Sequence, residues 1–96
     1  MNSVLKYDNM ADVLYVRLNN APIAYSSESP NDGNLIINYG FKRNVVGIQM
    51  LAVSELEFFD WLEHPDRQLF ATDLLVIIDE WMKSNIVRLT TGKIKL

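Results

Sequence analysis

The chain has 96 residues, 49% of them hydrophobic and 22% charged, a composition typical of one globular domain and not of a disordered or collagen-like chain. The absence of cysteine excludes a disulfide framework and a thiolate metal site, and favours a reducing, cytoplasmic location. The first residues lack the basic and apolar regions of a signal peptide, and no apolar run approaches the ~20 residues of a membrane helix, so we expect neither export nor a membrane span.

The first half of the chain predicts an antiparallel sheet of about five strands in a meander. Apolar residues recur with the period of two that strands impose, and turn signals separate the runs. Strands are expected at residues 4–7, 13–18, 23–29, 35–39 and 45–51. The first two and the last two of these should each form a hairpin. The third strand is polar, and Ser26 and Glu28 suit it to an edge of the sheet.

Two segments between the predicted strands carry strong turn signals. Residues 8–12 include Asp8 and Asp12, whose short side chains can accept hydrogen bonds from nearby backbone amides, and residues 30–33 read Pro-Asn-Asp-Gly. Paired carboxylates can also act as general acid and base. The position of Asp8 and Asp12 in a tight turn favours the structural interpretation.

A helix is expected to begin after the last strand. Ser54 and Glu57 have the spacing of a capping box, in which the two side chains bind free amides at the helix start. The predicted helix covers residues 55–63 and ends before Pro65. The side chains that its period assigns to one apolar face are Leu56, Phe59 and Leu62.

A second helix is predicted to open at Thr72, with Asp73 in its first turn, where the helix dipole favours an acid. Its apolar residues recur at spacings of three and four: Leu74, Ile77, Ile78, Trp81 and Met82. Residues 74–78 are also rich enough in Val and Ile to form a buried strand, which is the alternative. Residues 86–96 are compatible with a short hairpin or an extended tail.

These elements predict a single α+β domain over residues 1–96. Residues 1–53 form the sheet, residues 54–85 form a helical section, and residues 86–96 form a basic tail. Charge is distributed unevenly among the parts. Residues 54–82 contain eight acidic residues against Arg67 alone, residues 1–53 are neutral, and residues 83–96 carry four basic residues and no acid. Such a chain can attract oppositely charged partners or a second copy of itself.

Several sequence motifs lie between residues 7 and 54. Tyr7-Asp8 is followed by Ala11-Asp12, then by Leu14-Tyr15-Val16 and Leu18; Asn38-Tyr39 ends a later strand; and residues 46–54 read VGIQMLAVS. With these motifs the segment resembles a small bacterial family of domains of unknown function. Asn38 and Gln49 stand where the family pattern has acids, and residues 55–96 fall outside it. The resemblance implies no established activity, but it suggests an antitoxin role, since such domains are often encoded beside toxin-like reading frames.

Catalytic and metal-binding interpretations find little support in the sequence. A nucleophilic triad needs a base, and the only histidine, His64, lies beside Pro65 at a predicted helix end. Glu57, Asp60 and His64 have a spacing that could place three metal ligands on one helix face, although a solvated acidic face explains them equally well.

Nucleotide and nucleic-acid binding are also weakly supported. The apolar run before Asp79 and Glu80 resembles the magnesium strand of nucleotidases, but no glycine-rich phosphate loop accompanies it. The basic tail alone could contact nucleic acid, and the acidic section opposes that contact. We therefore predict no catalytic residue, metal or cofactor, and no membrane or nucleic-acid partner.

The surface gives the best indication of function. Both faces of the predicted strands carry apolar residues, and two short helices can cover one of them, so a partner or a second copy is expected. Aromatic residues concentrate in the acidic section, where they are candidate anchors for a partner, although they also suit a core. The predicted contact residues are Glu57, Phe58, Asp60, Trp61, Asp79, Glu80 and Trp81.

Two functions follow from this surface. The first is a non-catalytic module that binds a basic protein, such as an antitoxin-like inhibitor of an RNA-cleaving toxin. The alternative is a self-associating structural or regulatory domain that forms a homodimer.

Overall fold

The five predicted strands form one antiparallel sheet in the computed structural model, which describes residues 4–18 and 21–87. The strands are β1 (Val4–Asp8), β2 (Val13–Arg17), β3 (Tyr25–Ser29), β4 (Asp32–Tyr39) and β5 (Val45–Leu51). Helical elements follow the sheet, so the predicted α+β class is confirmed.

The strand order is β1-β2-β5-β4-β3. Both predicted hairpins, β1 with β2 and β4 with β5, are present, and β2 pairs with β5 to join them. The polar strand β3 lies at an edge as predicted, with Ser26 and Glu28 exposed. The sheet differs from a consecutive meander because the apolar strands β2 and β5 take neighbouring inner positions, which bury more apolar surface than a central β3 would.

The helical section contains two α-helices, α1 (Phe58–Leu62) and α2 (Thr72–Met82), and a π-helical turn at Lys83–Val87. Short 3₁₀ helices precede each α-helix, at Val53–Glu55 and Pro65–Leu69. The prediction of a helix from Thr72 is confirmed, and the alternative of a strand over residues 74–78 is wrong. No helix in the described ranges is long and apolar enough to cross a membrane. The predicted tail covers residues 86–96: its first two residues belong to the π-helical turn and not to a strand or extended segment, and residues 88–96 lie outside the described residues.

The capping box predicted at Ser54 is wrong. Ser54 lies inside the 3₁₀ helix, α1 begins only after Glu57, and no side chain caps the amides of α1. The hydroxyl and amide of Ser54 bind the carboxylate of Asp12 instead. A charged acceptor from the first hairpin has therefore replaced the local cap, a tertiary contact that the sequence around Ser54 does not reveal.

The later start of α1 changes which side chains face the core. Phe58 packs against the core and Trp61 is fully buried, whereas Phe59 is 75% exposed and Leu62 is 41% exposed. The predicted inward face of Leu56, Phe59 and Leu62 is therefore wrong for its last two members.

One face of the sheet packs against α2 and the buried part of the helical section. Leu14 and Val16 of β2 pair with Met50 and Ile48 of β5, which places their side chains on this face. The buried residues that complete the core are Leu35, Ile37, Val53, Trp61, Phe70, Leu74, Ile78 and Met82.

Candidate functional site

The residues that carry the sequence motifs meet where the sheet ends and the helical section begins. The Tyr7 hydroxyl donates to Asp12 Oδ1 at 2.7 Å, and the Ser54 hydroxyl donates to Asp12 Oδ2 at 2.6 Å. The Ser54 amide also donates to Asp12, and the Val53 amide donates to the Asp12 carbonyl at 3.2 Å. We call Tyr7, Asp12 and Ser54 the Asp12 junction.

The backbone explains why these residue types occupy the junction. Asp12 has a φ of 55°, in the left-handed region that Asp and Asn tolerate better than most residues. Earlier in the same turn Asp8 Oδ1 accepts hydrogen bonds from the amides of Met10 and Ala11. Asp8 thus binds amides of its own turn, as predicted, whereas the prediction is wrong for Asp12, whose carboxylate binds the amide and hydroxyl of Ser54, outside the turn.

The Asp12 junction should make the fold sensitive to acid. Burial acts to raise the pKa of Asp12, but hydrogen bonds from Ser54 and Tyr7 outweigh it and hold the pKa below its usual value. A lowered pKa stabilises the folded state at pH values above the unfolded-state pKa, and this stabilisation is lost as the pH falls through the folded value. We expect Asp12→Asn to destabilise the protein at neutral pH, and its difference from wild type to shrink below about pH 4. Urea unfolding of both proteins across this pH range measures the effect.

Asp60→Asn supplies the matched control for this experiment. It removes the same charge from an exposed side chain that forms no hydrogen bond to the described residues. Its difference from wild type should be small at every pH. A difference for Asp12→Asn that stays constant from neutral to acidic pH would show that the carboxylate is not stabilised by the junction.

A second polar cluster lies inside the helical section. Arg67 forms a two-pronged ion pair with Asp79, at 2.8 Å and 2.9 Å, and its guanidinium lies 5.1 Å from the ring centroid of Trp61. The Trp61 Nε1–H donates to Asp79 Oδ1 at 2.7 Å. Burial acts to raise the pKa of Asp79, but the hydrogen bonds from Arg67 and Trp61 lower it below its usual value. This Trp61–Arg67–Asp79 cluster joins α1, the second 3₁₀ helix and α2.

A third cluster connects the second 3₁₀ helix to the turn between β3 and β4. Asp66 is only 2% exposed, and its two carboxylate oxygens accept hydrogen bonds from the Ser29 hydroxyl and the Asn31 side-chain amide. Ser29 Oγ also accepts from the Asn31 backbone amide. Because a buried carboxylate is costly without partners, these bonds hold the turn against the helical section.

His64 belongs to the same region. Its Nδ1 accepts a hydrogen bond from the Asp66 amide at 3.1 Å, so the proton of the neutral ring is on Nε2, which donates to Asp32 Oδ2 at 3.0 Å. Both ring nitrogens are thus engaged within the protein. The metal set of Glu57, Asp60 and His64 is not assembled, and the described residues contain no group of three or more potential metal ligands.

The predicted contact residues divide into an exposed set and an internal set. Glu57, Asp60 and Glu80 are exposed. Phe58 and Trp81 are half-buried against the core, Trp61 is fully buried, and Asp79 is held by Arg67 and Trp61. Trp61 and Asp79 are therefore occupied inside the molecule and do not present themselves to a partner.

The predicted contact residues do not include two exposed apolar residues of α1. Phe59 and Leu62 lie among the exposed acids Glu57, Asp60 and Glu63, and we call these five residues the α1 surface. Whether Trp61 or Phe59 faces the core depends on the residue at which α1 begins. The capping box predicted at Ser54 placed that start too early in the chain. The larger ring of Trp61 was the available signal, because burying it removes more apolar area from water.

A cleft of about 210 Å³ lies beside this surface, between the start of β4, the end of β5 and the 3₁₀ helix Val53–Glu55. Its buried lining is apolar and includes Leu35, Met50 and Trp61. Its more exposed lining includes the acids Asp32 and Glu55 beside the half-buried apolar residues Leu51, Ala52 and Leu56. The cleft therefore combines an apolar floor with two acidic side chains.

Comparison with known proteins agrees with the resemblance seen in the motifs. No curated protein and no solved structure matches the chain. The model of a family described as a protein of unknown function, DUF2283, matches residues 5–54, which is just over half of the chain. The matched segment covers nearly all of the sheet and the whole Asp12 junction. The chain therefore belongs to the DUF2283 family of proteins of unknown function.

Proposed function

We propose that this chain is a non-catalytic, cytoplasmic module that binds a basic protein partner through the α1 surface, as an antitoxin-like inhibitor would. One observation carries the proposal. Phe59 is 75% exposed on α1, and the exposed carboxylates of Glu57, Asp60 and Glu63 lie beside it in the chain. An exposed aromatic ring is a frequent anchor of protein interfaces, and surrounding acids steer a basic partner toward it.

The charge balance of the helical section supports a basic partner. Arg67, the one basic residue among residues 54–82, is already paired with Asp79. The carboxylates of Glu55, Glu57, Asp60, Glu63, Asp73 and Glu80 are exposed. No ion pair neutralises these six within the described residues. The resulting field favours a partner of positive charge and accelerates its association at low ionic strength.

The test measures binding of the full chain to the products of the genes immediately beside its own. We expect one basic product to bind, and Phe59→Ala to weaken that binding about tenfold or more, as an interface anchor does. Val76→Ala is the matched control, because Val76 is 53% exposed on α2 and lies outside the α1 surface. Calorimetric titration of the three proteins gives the affinities.

The double substitution Glu57→Lys with Asp60→Lys separates steering from anchoring. It should slow association and reduce its dependence on salt. If the chain is recovered from its native host at natural levels only as itself, or if Phe59→Ala and Val76→Ala bind equally well, the proposal fails.

The opposite face of the sheet favours self-association as a second candidate. Val4, Tyr15 and Ile23 are between 37% and 40% exposed, and they line a shallow depression with Lys6 and Arg17. A second copy burying this face would form a homodimer. Light scattering on the purified chain distinguishes the two candidates, since a monomer at all concentrations eliminates this one.

A further inference from the structure

The cleft beside α1 has acidic side chains in its lining. Glu55 is exposed at its edge and forms no ion pair within the described residues. Asp32 also lines the cleft, and 31% of its side chain is exposed. Two carboxylates thus face a space whose inner wall is apolar.

The hydrogen bonds of Asp32 leave its negative charge in place. Oδ1 accepts from the Asn34 amide at 2.9 Å, and Oδ2 accepts from His64 Nε2 at 3.0 Å. The His64 ring is the neutral tautomer, because its Nδ1 accepts from the Asp66 amide. Both donors are neutral, so Asp32 and Glu55 together leave the cleft with two uncompensated negative charges.

The size of the cleft limits what it can hold. Its volume of about 210 Å³ is several times the ~30 Å³ of one water molecule. It is smaller than the roughly 300–1,000 Å³ of sites that hold drug-sized ligands and cofactors. A single long side chain is the occupant that this volume suits.

An arginine side chain matches both parts of the lining. Its methylene groups can pack on apolar side chains such as Leu56 and Met50, while its planar guanidinium offers several N–H donors to carboxylates. Arginine is also less strongly hydrated than lysine, so moving its charged group from water into the cleft costs less.

We infer that the cleft lined by Asp32, Glu55 and Leu56 receives an arginine side chain from the basic protein partner. This inference rests on the proposed function and adds a second, specific contact to the α1 surface. The partner places one arginine in the cleft that the two carboxylates line, while Phe59 anchors the neighbouring surface.

The test uses the isotopically labelled full chain and two short capped peptides, Gly-Arg-Gly and Gly-citrulline-Gly. Citrulline has the shape of arginine without its charge. We expect the arginine peptide to shift the backbone amide signals of Asn34, Glu55 and Leu56 saturably, with a dissociation constant on the order of millimolar. The citrulline peptide should leave those signals unchanged.

Glu55→Gln should weaken binding of the arginine peptide about two- to fivefold, the range for an exposed ion pair. Glu63→Gln is the matched control, because it removes the same charge from the α1 surface outside the cleft. Equal binding of both peptides, or equal affinities for Glu55→Gln and Glu63→Gln, would overturn the inference. If free arginine binds more tightly than the peptide, the ligand of the cleft is a metabolite and not a side chain of the partner.

The two proposals fail in different ways. If the protein partner binds with dependence on Phe59 and Glu55→Gln changes nothing, the cleft is rejected and the proposed function stands. If no partner binds and the arginine peptide still occupies the cleft, the proposed function is rejected.

Discussion

Replacing Trp61 with alanine is expected to lower the free energy of unfolding by about 3–5 kcal/mol, the usual cost of removing a large buried aromatic side chain. Trp61 has no exposed surface, stacks on Phe70 at a centroid distance of 6.4 Å, and donates its indole N–H to Asp79. A protein of this size has a total stability of roughly 5–15 kcal/mol. The substitution therefore removes a large fraction of the stability.

Urea unfolding followed by circular dichroism measures this loss without relying on the fluorescence of the deleted ring. Trp61→Phe removes the hydrogen-bond donor to Asp79 but keeps an apolar ring. It should therefore lower the free energy of unfolding less than Trp61→Ala does. Phe59→Ala is the matched control, because Phe59 lies two residues away and is 75% exposed. It should change stability by less than about 0.5 kcal/mol. Similar losses for Trp61→Ala and Phe59→Ala would contradict the burial on which the assignment of the two faces of α1 depends.

Trp61 and Phe59 also show where prediction from the sequence ends. The strands were predictable because alternation of apolar residues is a local property, and Leu14, Val16, Ile48 and Met50 alternate clearly. The helix from Thr72 was predictable for the same reason, since its apolar residues recur over three turns. The five residues of α1 complete little more than one turn, which is too short for a period to fix the phase.

The clusters that position the surface could not be derived from local patterns. Asp12 and Ser54 are 42 residues apart, and Ser29 and Asp66 are 37 apart. Each pair satisfies a carboxylate with donors from a distant segment, and only the folded sheet brings the segments together. The pattern around Ser54 fits a local helix cap. The charged carboxylate of Asp12 instead accepts hydrogen bonds from the Ser54 hydroxyl and amide, and a charged acceptor forms the stronger hydrogen bond.

Uneven charge was visible in the sequence, but its distribution over the surface was not. Eight acids among residues 54–82 indicated a basic partner. The structure divides these acids by role, because Asp66 and Asp79 bind internal partners while Glu57, Asp60 and Glu63 remain exposed. The proposed contact surface follows from that division and from the exposure of Phe59.

Gly47→Ala is expected to destabilise the fold by about 3 kcal/mol, at the upper end of the usual cost of overpacking. A Cβ atom at Gly47 would lie 2.6 Å from the carbonyl oxygen of Val16 and 3.2 Å from the Cα of Arg17. These two atoms belong to the backbone of β2, and Arg17 is the residue paired with Gly47. A third close atom, at 3.2 Å, is the side-chain Oδ1 of Asn38 in β4. The clash can be relieved only by separating β2 from β5, the pairing that joins the two hairpins.

Gly33→Ala is the matched control for this substitution. Its added Cβ would meet only a side-chain oxygen of Glu28 at 3.9 Å, an ordinary contact, and Gly33 does not have a positive φ. Gly33→Ala should therefore stay within about 0.5 kcal/mol of wild type. Urea unfolding gives both free energies, and hydrogen exchange of the β2 and β5 amides locates the damage. Since the β2–β5 contact also fixes the distance between Asp12 and Ser54, faster exchange of the Ser54 amide should accompany the loss in Gly47→Ala, and unchanged exchange there would contradict this account.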